Sequence, residues 1–194
     1  MRWPTPLILA STSPRRRELL QKAGIEAIVV SPAIDDSHLT CGDLSPEVWV
    51  RVLAILKARS TSTLRDTGTG TILAADTVCV VDDTILGQPQ SEQEALQMLV
   101  SMVQRDHEVY TGWCLKTLDG KESLHGCETT IVSIGAIDLS DLEAYVASGL
   151  WQGKAGGYNL GERCAAGWPL SWQGDPTNVM GLPMKRLIKE LSRK

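Results

Sequence analysis

Short apolar runs alternate with helix-like patterns over the first thirty residues of the chain. Leu7–Ala10 is an apolar run that ends at a polar turn, after which apolar residues recur at helical spacing up to Gly24. Residues 25–30 are rich in β-branched side chains, which favour extended structure. The pattern therefore predicts a strand, a tight turn, a helix and a second strand.

Later helix starts are marked by polar residues suited to capping. Ser45 followed by Pro46 opens a helix with one apolar face, and Lys57 lies near the C-terminal end of that helix. Capping boxes at residues 91–94 and 140–143 predict two further helices, the second ending near Ser148. From Pro183 onward the pattern is that of a basic amphipathic helix.

Extended segments occupy the middle of the chain. Thr71–Val81 reads as a buried strand, followed by a turn at residues 82–83 and a short partner strand, Thr84–Leu86. Residues 108–115 and 129–134 also have strand character. With 194 residues, 43% of them hydrophobic, and no internal repeat, the chain is predicted to form a single α/β domain over residues 1–194, with a mixed β-sheet flanked by helices.

Charge and cysteine content limit the classes of function that are expected for the protein. The net charge of −4 gives no uniformly basic surface, so binding to nucleic-acid polymers or anionic membranes is not expected. No signal peptide or membrane-length apolar run is present, which predicts a soluble, cytoplasmic protein. The five cysteines lack metal-site spacing and are expected to be reduced thiols.

The first candidate site is the turn after the first strand. Ser11, Ser13, Arg15 and Arg16 bring hydroxyls and guanidinium groups to the start of a helix. Backbone N–H groups at a helix start and guanidinium groups both suit phosphate oxygens. An ordinary helix capped by Ser13, with solvated arginines, is the alternative at this point.

The second candidate is Asp76, the one acid within the apolar run of residues 71–81. A carboxylate in such a strand requires a cation or backbone hydrogen bonds, because burying an unpaired charge is costly. Asp36 ends the second strand, and its carboxylate is the hard oxygen ligand that Mg²⁺ prefers beside phosphate. A solvated turn at Asp36 and a solvated surface lysine at Lys57 are the alternatives.

Seven short segments, in this order, resemble the Maf family of nucleotide pyrophosphatases along almost the whole chain. They lie at residues 9–16, 53–58, 75–78, 87–89, 107–112, 154–158 and 178–183. The resemblance implies a fold like that of the inosine triphosphate pyrophosphatases. It also implies hydrolysis of a nucleoside triphosphate to the monophosphate and pyrophosphate, with a divalent cation, Mg²⁺ or Mn²⁺, as cofactor. A homodimer would be usual for this family.

The resemblance also implies roles for individual residues. Asp76 matches the family's proton acceptor for water, and Lys57 matches its helix lysine. Asp36 lies near the family's metal-linked glutamate, so Asp36 and Asp76 are the implied metal ligands. The implied substrate-binding residues are Ser11, Ser13, Arg15, Arg16, Thr77, Gln88, Lys154 and Glu162.

Departures from the family pattern leave open which base is preferred and whether the protein is catalytic. Gln88 stands where the family usually has lysine, which favours the alternative of a non-catalytic nucleotide-binding regulator of cell division. Arg15 and Thr77 match members that prefer dTTP and UTP, whereas Glu162 resembles members acting on 7-methyl-GTP. The count of matching positions favours dTTP or UTP, with a 7-methyl-GTP pyrophosphatase as the alternative.

Overall fold

The computed structural model describes residues 3–35, 39–62 and 68–192. Within these ranges the chain forms both strands and helices, as the sequence pattern predicts. The strands are β1 Leu7–Ala10, β2 Ala27–Val30, β3 Thr71–Val81, β4 Thr84–Leu86, β5 Arg105–Thr117, β6 Ser123–Ile134 and β7 Leu170–Gln173. The helices are α1 Pro14–Lys22, α2 Pro46–Ser62, α3 Glu92–Met102, α4 Leu139–Ala147, α5 Leu160–Ala165, α6 Pro176–Val179 and α7 Met184–Leu191.

The strands form one mixed seven-stranded sheet in the order β2-β1-β3-β5-β6-β7, with β4 paired to β3. β1 is parallel to both β2 and β3, and Ala10 pairs with Val30 on one side and Ala74 on the other. β4 and β7 are antiparallel to β3 and β6. The prediction of an α/β fold with a mixed sheet flanked by helices is therefore confirmed.

Contacts along the chain group into two compact units, although the sheet is continuous. Unit 1 comprises residues 1–76, 111–128 and 181–194, and unit 2 comprises residues 77–110 and 129–180. The long strands β3, β5 and β6 contribute residues to both units. A single domain over residues 1–194 stays a prediction.

In unit 1, several small side chains lie between helix α2 and the sheet and let the two approach closely. Ala54 and Ala58 of α2, one helical turn apart, pack with Ile72 and Ala74 of β3 in a buried cluster. Gly112 on β5 completes this approach, because a Cβ there would lie 2.3 Å from the carbonyl carbon of Val50 in α2. No larger residue fits at Gly112 without movement of the helix backbone.

The core cluster of unit 2 is formed mainly by α3, α4 and the strands β3, β5 and β6. Leu99 and Met102 of α3 are fully buried in it. Tyr145 and Tyr158 are also buried, with only a few per cent of each residue exposed. Burial of large aromatic and aliphatic groups is the main source of its stability.

Local predictions at the helix starts had mixed outcomes. Ser91 caps α3 as predicted, accepting a hydrogen bond from the Glu94 backbone N–H. The capping box predicted at residues 140–143 is wrong, because α4 begins at Leu139 and its N-cap residue is Asp138. Strands β5 and β6 extend beyond the segments that were predicted for them.

The final helix was predicted from Pro183 onward, and α7 spans Met184–Leu191. In residues 3–35, 39–62 and 68–192, no helix combines the length and apolar character that a membrane span requires.

Candidate active site

Strand periodicity brings Asp76 to the helix-covered face of the sheet. Ile72 and Ala74 of β3 pack against α2, and Asp76 is the next residue of the same parity, so its side chain leaves that face. On α2, Lys57 directly precedes the buried Ala58. The apolar contacts between α2 and β3 thus place an acid and a lysine beside each other at the end of the packed segment.

Lys57 and Asp76 form an ion pair. The Lys57 Nζ donates to Asp76 Oδ1 at 2.5 Å, and the two side chains are only 12% and 14% exposed. A pair so sheltered is screened little by salt, and removing one partner leaves an uncompensated charge. The alternative of a solvated surface lysine at Lys57 is therefore excluded.

The turn between β1 and α1 is held by the hydroxyl of Ser11, which is 4% exposed. Its Oγ accepts from the Ser13 backbone N–H and from Arg16 Nη1, both at 3.2 Å. The Nε of Arg16 also donates to the carbonyl of Gly181 at 2.9 Å. Arg16 is thus fixed from two sides before any ligand arrives.

Ser13 does not cap α1 with its side chain, which corrects one sequence-based expectation. Ser13 is the N-cap residue, but no side-chain cap hydrogen bond is formed. Its backbone N–H is instead engaged by Ser11. Arg15, the next basic residue, is half-buried on the first turn of α1.

Sheet register relates this turn to Asp76. Ala10 pairs with Ala74 in parallel strands, so Ser11 and Asp76 follow this pair by one and two residues. Both residues therefore emerge at the carboxyl end of β1, the edge at which α/β sheets commonly bind ligands. Unit 1 alone thus brings together five of the predicted site residues: Ser11, Ser13, Arg16, Lys57 and Asp76.

In unit 2 the predicted residues centre on a tight turn after Gly153. Lys154 precedes a 3₁₀ turn, Ala155–Gly157, and only 6% of the lysine is exposed. Its Nζ donates to the Glu162 Oε2 in a short ion pair. Lys154 and Glu162, each predicted to bind substrate, therefore contact one another.

The same turn holds the segment that contains Gln88. The Gly156 N–H donates to the carbonyl of Gly87 at 3.0 Å, directly before Gln88. Gln88 itself is exposed, whereas Thr77, which follows Asp76 in β3, is half-buried. This backbone hydrogen bond thus links the residue before Gln88 to the turn that follows Lys154.

Buried hydrogen bonds fix the far side of this turn. The Tyr145 hydroxyl donates to the carbonyl of Gly157 at 2.9 Å. Tyr158 Oη lies 2.6 Å from His107 Nε2, and burial lowers the pKa of His107 to about 4, so the imidazole is neutral at neutral pH. The turn carrying Lys154 is consequently anchored at the three residues 156–158 that follow it.

Of the two predicted metal ligands, Asp76 is the one that lies among the described residues. Asp76 uses Oδ1 for Lys57, and its second oxygen is of the type that Mg²⁺ and Mn²⁺ prefer. In the described ranges no cluster of three or more His, Cys, Asp or Glu side chains is arranged to hold a metal ion. Asp36, the other predicted ligand, lies outside those ranges.

Comparison with known proteins agrees with the resemblance noted in the sequence. The model of the family described as "Maf-like protein" matches residues 6–194. The chain belongs to this family. A dTTP/UTP pyrophosphatase of Symbiobacterium thermophilum is 41% identical over 96% of this chain and 93% of its own length. A second, from Chelativorans sp., is 41% identical over 97% of this chain and 91% of its own length.

One solved structure is more distant. The nucleoside-triphosphatase / dITP/XTP pyrophosphatase of Mycobacterium abscessus matches 68% of this Maf-like chain and 74% of its own, with 18% identity and a TM-score of 0.41. Similarity at that level carries no argument about activity.

Sequence reasoning missed two features of the Maf-like site. It did not foresee that the Gly181 carbonyl accepts from Arg16, a contact between residues 165 positions apart. A φ of +109° at Gly181 favours glycine there, and a Cβ at that position would lie 3.1 Å from Arg16 Nε, so Arg16 would have to shift. It also treated Lys154 and Glu162 as separate ligands, whereas they form a pair.

Proposed function

We propose that this chain hydrolyses nucleoside triphosphates to the monophosphate and pyrophosphate, with dTTP and UTP as preferred substrates. The observation that carries the proposal is the sheltered Lys57–Asp76 pair at the carboxyl end of β1, next to a preformed Ser11–Arg16 turn. The base preference rests on relatives at 35–41% identity that are named dTTP/UTP pyrophosphatase.

In the proposed reaction Asp76 accepts a proton from water. The water oxygen bonds to the α-phosphorus, the bond from that phosphorus to the α,β-bridging oxygen breaks, and pyrophosphate leaves with both electrons of that bond. Lys57 orients the Asp76 carboxylate in the free protein through their 2.5 Å hydrogen bond. A positioned general base of this kind contributes roughly 10²- to 10⁴-fold to a hydrolytic rate.

We propose that the turn after β1, in unit 1, contributes to binding the phosphate chain. Arg16 is fixed by Ser11 and Gly181, so it loses little conformational entropy when it binds an anion. The remaining proposed contacts are Ser13, Arg15, Thr77, Gln88 and Lys154.

A divalent cation, Mg²⁺ or Mn²⁺, would be held by Asp36 and Asp76. When bound, such an ion neutralises phosphate charge and polarises the phosphoryl group that is attacked. Carboxylate oxygens are the donor type that these ions require.

Four smaller proposals concern location, domain organisation, oligomeric state and partner. We propose a cytoplasmic protein that folds as one domain and forms a homodimer, with a nucleotide rather than a nucleic-acid polymer or a membrane as its partner. The net charge of −4 is consistent with local rather than extended anion binding. Light scattering of the purified chain tests the dimer directly.

The activity is tested with a panel of dTTP, UTP, CTP, GTP, 7-methyl-GTP and ITP in Mn²⁺ or Mg²⁺. Pyrophosphate, rather than orthophosphate, is the expected product, and dTTP and UTP are expected to give the highest kcat/KM. A higher kcat/KM for 7-methyl-GTP would overturn the base preference. Absence of pyrophosphate with every triphosphate, together with measurable nucleotide binding, would support the non-catalytic regulator that Gln88 favours.

Substitution of the proposed base isolates its role. Asp76→Asn keeps an oxygen that can accept from Lys57 but cannot take the proton, so turnover should fall by about 10²-fold or more. Asp83→Asn, at an exposed turn beyond the same strand, is the matched control and should retain full activity. Near-normal turnover by a folded Asp76→Asn protein would remove Asp76 from the mechanism.

A further inference from the structure

The side chain of Lys154 is a sheltered cation, and within the described ranges its charge is met by the acid Glu162. The lysine side chain is 7% exposed, and its Nζ donates to the Glu162 Oε2. The Glu162 side chain is 42% exposed, so this carboxylate reaches inward from solvent to the lysine. An ammonium buried to this degree requires a counter-charge, because its lost hydration is otherwise not replaced.

The backbone on the lysine side of the pair is fixed. The 3₁₀ turn after Lys154 is held by the Gly156 N–H on the Gly87 carbonyl and by the Tyr145 hydroxyl on the Gly157 carbonyl. Gly156 packs closely there, since a Cβ at that position would lie 3.2 Å from the Cβ and Sγ of Cys79. The ammonium position therefore depends on the lysine side chain and on what binds its end.

The backbone on the acid side is fixed as well. Asn159, 7% exposed, is the N-cap of α5, and its Oδ1 accepts from the Glu162 N–H at 2.9 Å. Glu162 lies in the first turn of α5, where an acidic side chain is favoured. The backbone of Glu162 is thus fixed in position near Lys154. This distinguishes the ion pair from a chance contact between two surface side chains.

These contacts point to a role for Glu162 other than recognition of a base. In the free protein, a carboxylate that turned away from Lys154 would leave this lysine without its counter-charge. We propose that Glu162 is a positioning residue that acts through Lys154 on the phosphate chain, so that base choice does not pass through Glu162. This inference rests on the proposed function, because it takes the phosphate chain of a nucleotide as the ligand of Lys154.

Inorganic tripolyphosphate separates the two roles because it has phosphates and no base. Its affinity is measured by titration calorimetry for the wild type, Glu162→Gln, Lys154→Met and the double variant. Each single substitution is expected to weaken binding about tenfold, the scale of one charge-assisted hydrogen bond. The double variant should bind no more weakly than Lys154→Met, because Glu162 has no further route to the phosphates.

Two further variants control for structure and charge. Glu162→Asp keeps the carboxylate and should restore most of the affinity lost in Glu162→Gln. Glu143→Gln, an exposed site on α4, should bind like the wild type. Thermal unfolding of each variant establishes that it is folded before its affinity is compared.

Kinetics with different bases complete the test. In Glu162→Gln, kcat/KM for UTP and for 7-methyl-GTP should fall by one common factor. Unchanged tripolyphosphate affinity together with an altered ratio between these two substrates would overturn the inference and make Glu162 a base-reading residue. If the wild type releases no pyrophosphate from any triphosphate, the proposed function fails, whereas the tripolyphosphate comparison still decides whether Glu162 acts through Lys154.

Discussion

Acidification should destabilise the protein through one buried imidazole. His107 on β5 is 2% exposed, and its Nε2 lies 2.6 Å from the hydroxyl of Tyr158. Burial lowers its pKa from 6.5 to about 4, and the nearby negative charge of Asp106 offsets only part of this effect. The native state therefore holds a neutral imidazole at a pH where the unfolded chain already binds a proton.

The direction and size of this pH effect on stability follow from the difference between the pKa of His107 in the folded and unfolded states. Since the native pKa is the lower one, the contribution of His107 to stability is complete above the unfolded pKa of 6.5 and is lost as the pH falls towards 4. Each unit of pKa difference corresponds to about 1.4 kcal/mol, so the whole loss is roughly 3 kcal/mol. About 2 kcal/mol of this should be gone at pH 5.

Urea unfolding followed by tryptophan fluorescence measures this loss. The wild type and His107→Gln are compared at pH 7.5 and pH 5, because glutamine can still hydrogen-bond to Tyr158 but does not titrate. The wild type should lose about 2 kcal/mol more than His107→Gln between these values. His125→Gln, at an exposed position on β6, should keep the wild-type dependence. Parallel losses in the wild type and His107→Gln would refute the reasoning.

Two further substitutions test packing and charge. Gly112→Ala should lower the free energy of unfolding by about 3 kcal/mol or more, because its Cβ would meet the backbone of Val50. Gly68→Ala is the control and should be nearly neutral in the same urea assay, because the space around Gly68 is open. Gln88→Lys should lower KM for dTTP several-fold by adding a cation beside the turn of Lys154. An unchanged KM for Gln88→Lys would mean that residue 88 does not contact the phosphates.

The Lys57–Asp76 pair could be anticipated from the sequence to a large degree. Counting by two from Ile72 puts Asp76 on one face of β3, and the alanines of α2 mark its close-packed side. Lys57 is adjacent to that side. The sequence does not show that α2 packs on β3, because apolar faces of similar composition do not specify their partner.

Other contacts follow no local rule. Glu162 is eight residues from Lys154, and the chain between them passes through two glycines with positive φ. No helical or strand periodicity brings such positions together. Likewise, capping propensity at residues 140–143 did not decide where α4 begins, since its N-cap is Asp138, two residues before the predicted N-cap Ser140. Tertiary packing routinely overrides such local preferences.

Lys57 and Lys154, the two lysines that we propose to act in the site, each form an ion pair with an acid. Lys57 is held by Asp76 in unit 1 and Lys154 by Glu162 in unit 2, so each sheltered cation is neutralised before a polyanionic phosphate chain arrives. Truncating an acid to alanine would leave a lysine unpaired, and lost stability could then be mistaken for lost catalysis. Amide replacements retain an oxygen acceptor for the ammonium, as Asp76→Asn and Glu162→Gln do. A fall in turnover without a matching fall in unfolding free energy then reports on the chemistry itself.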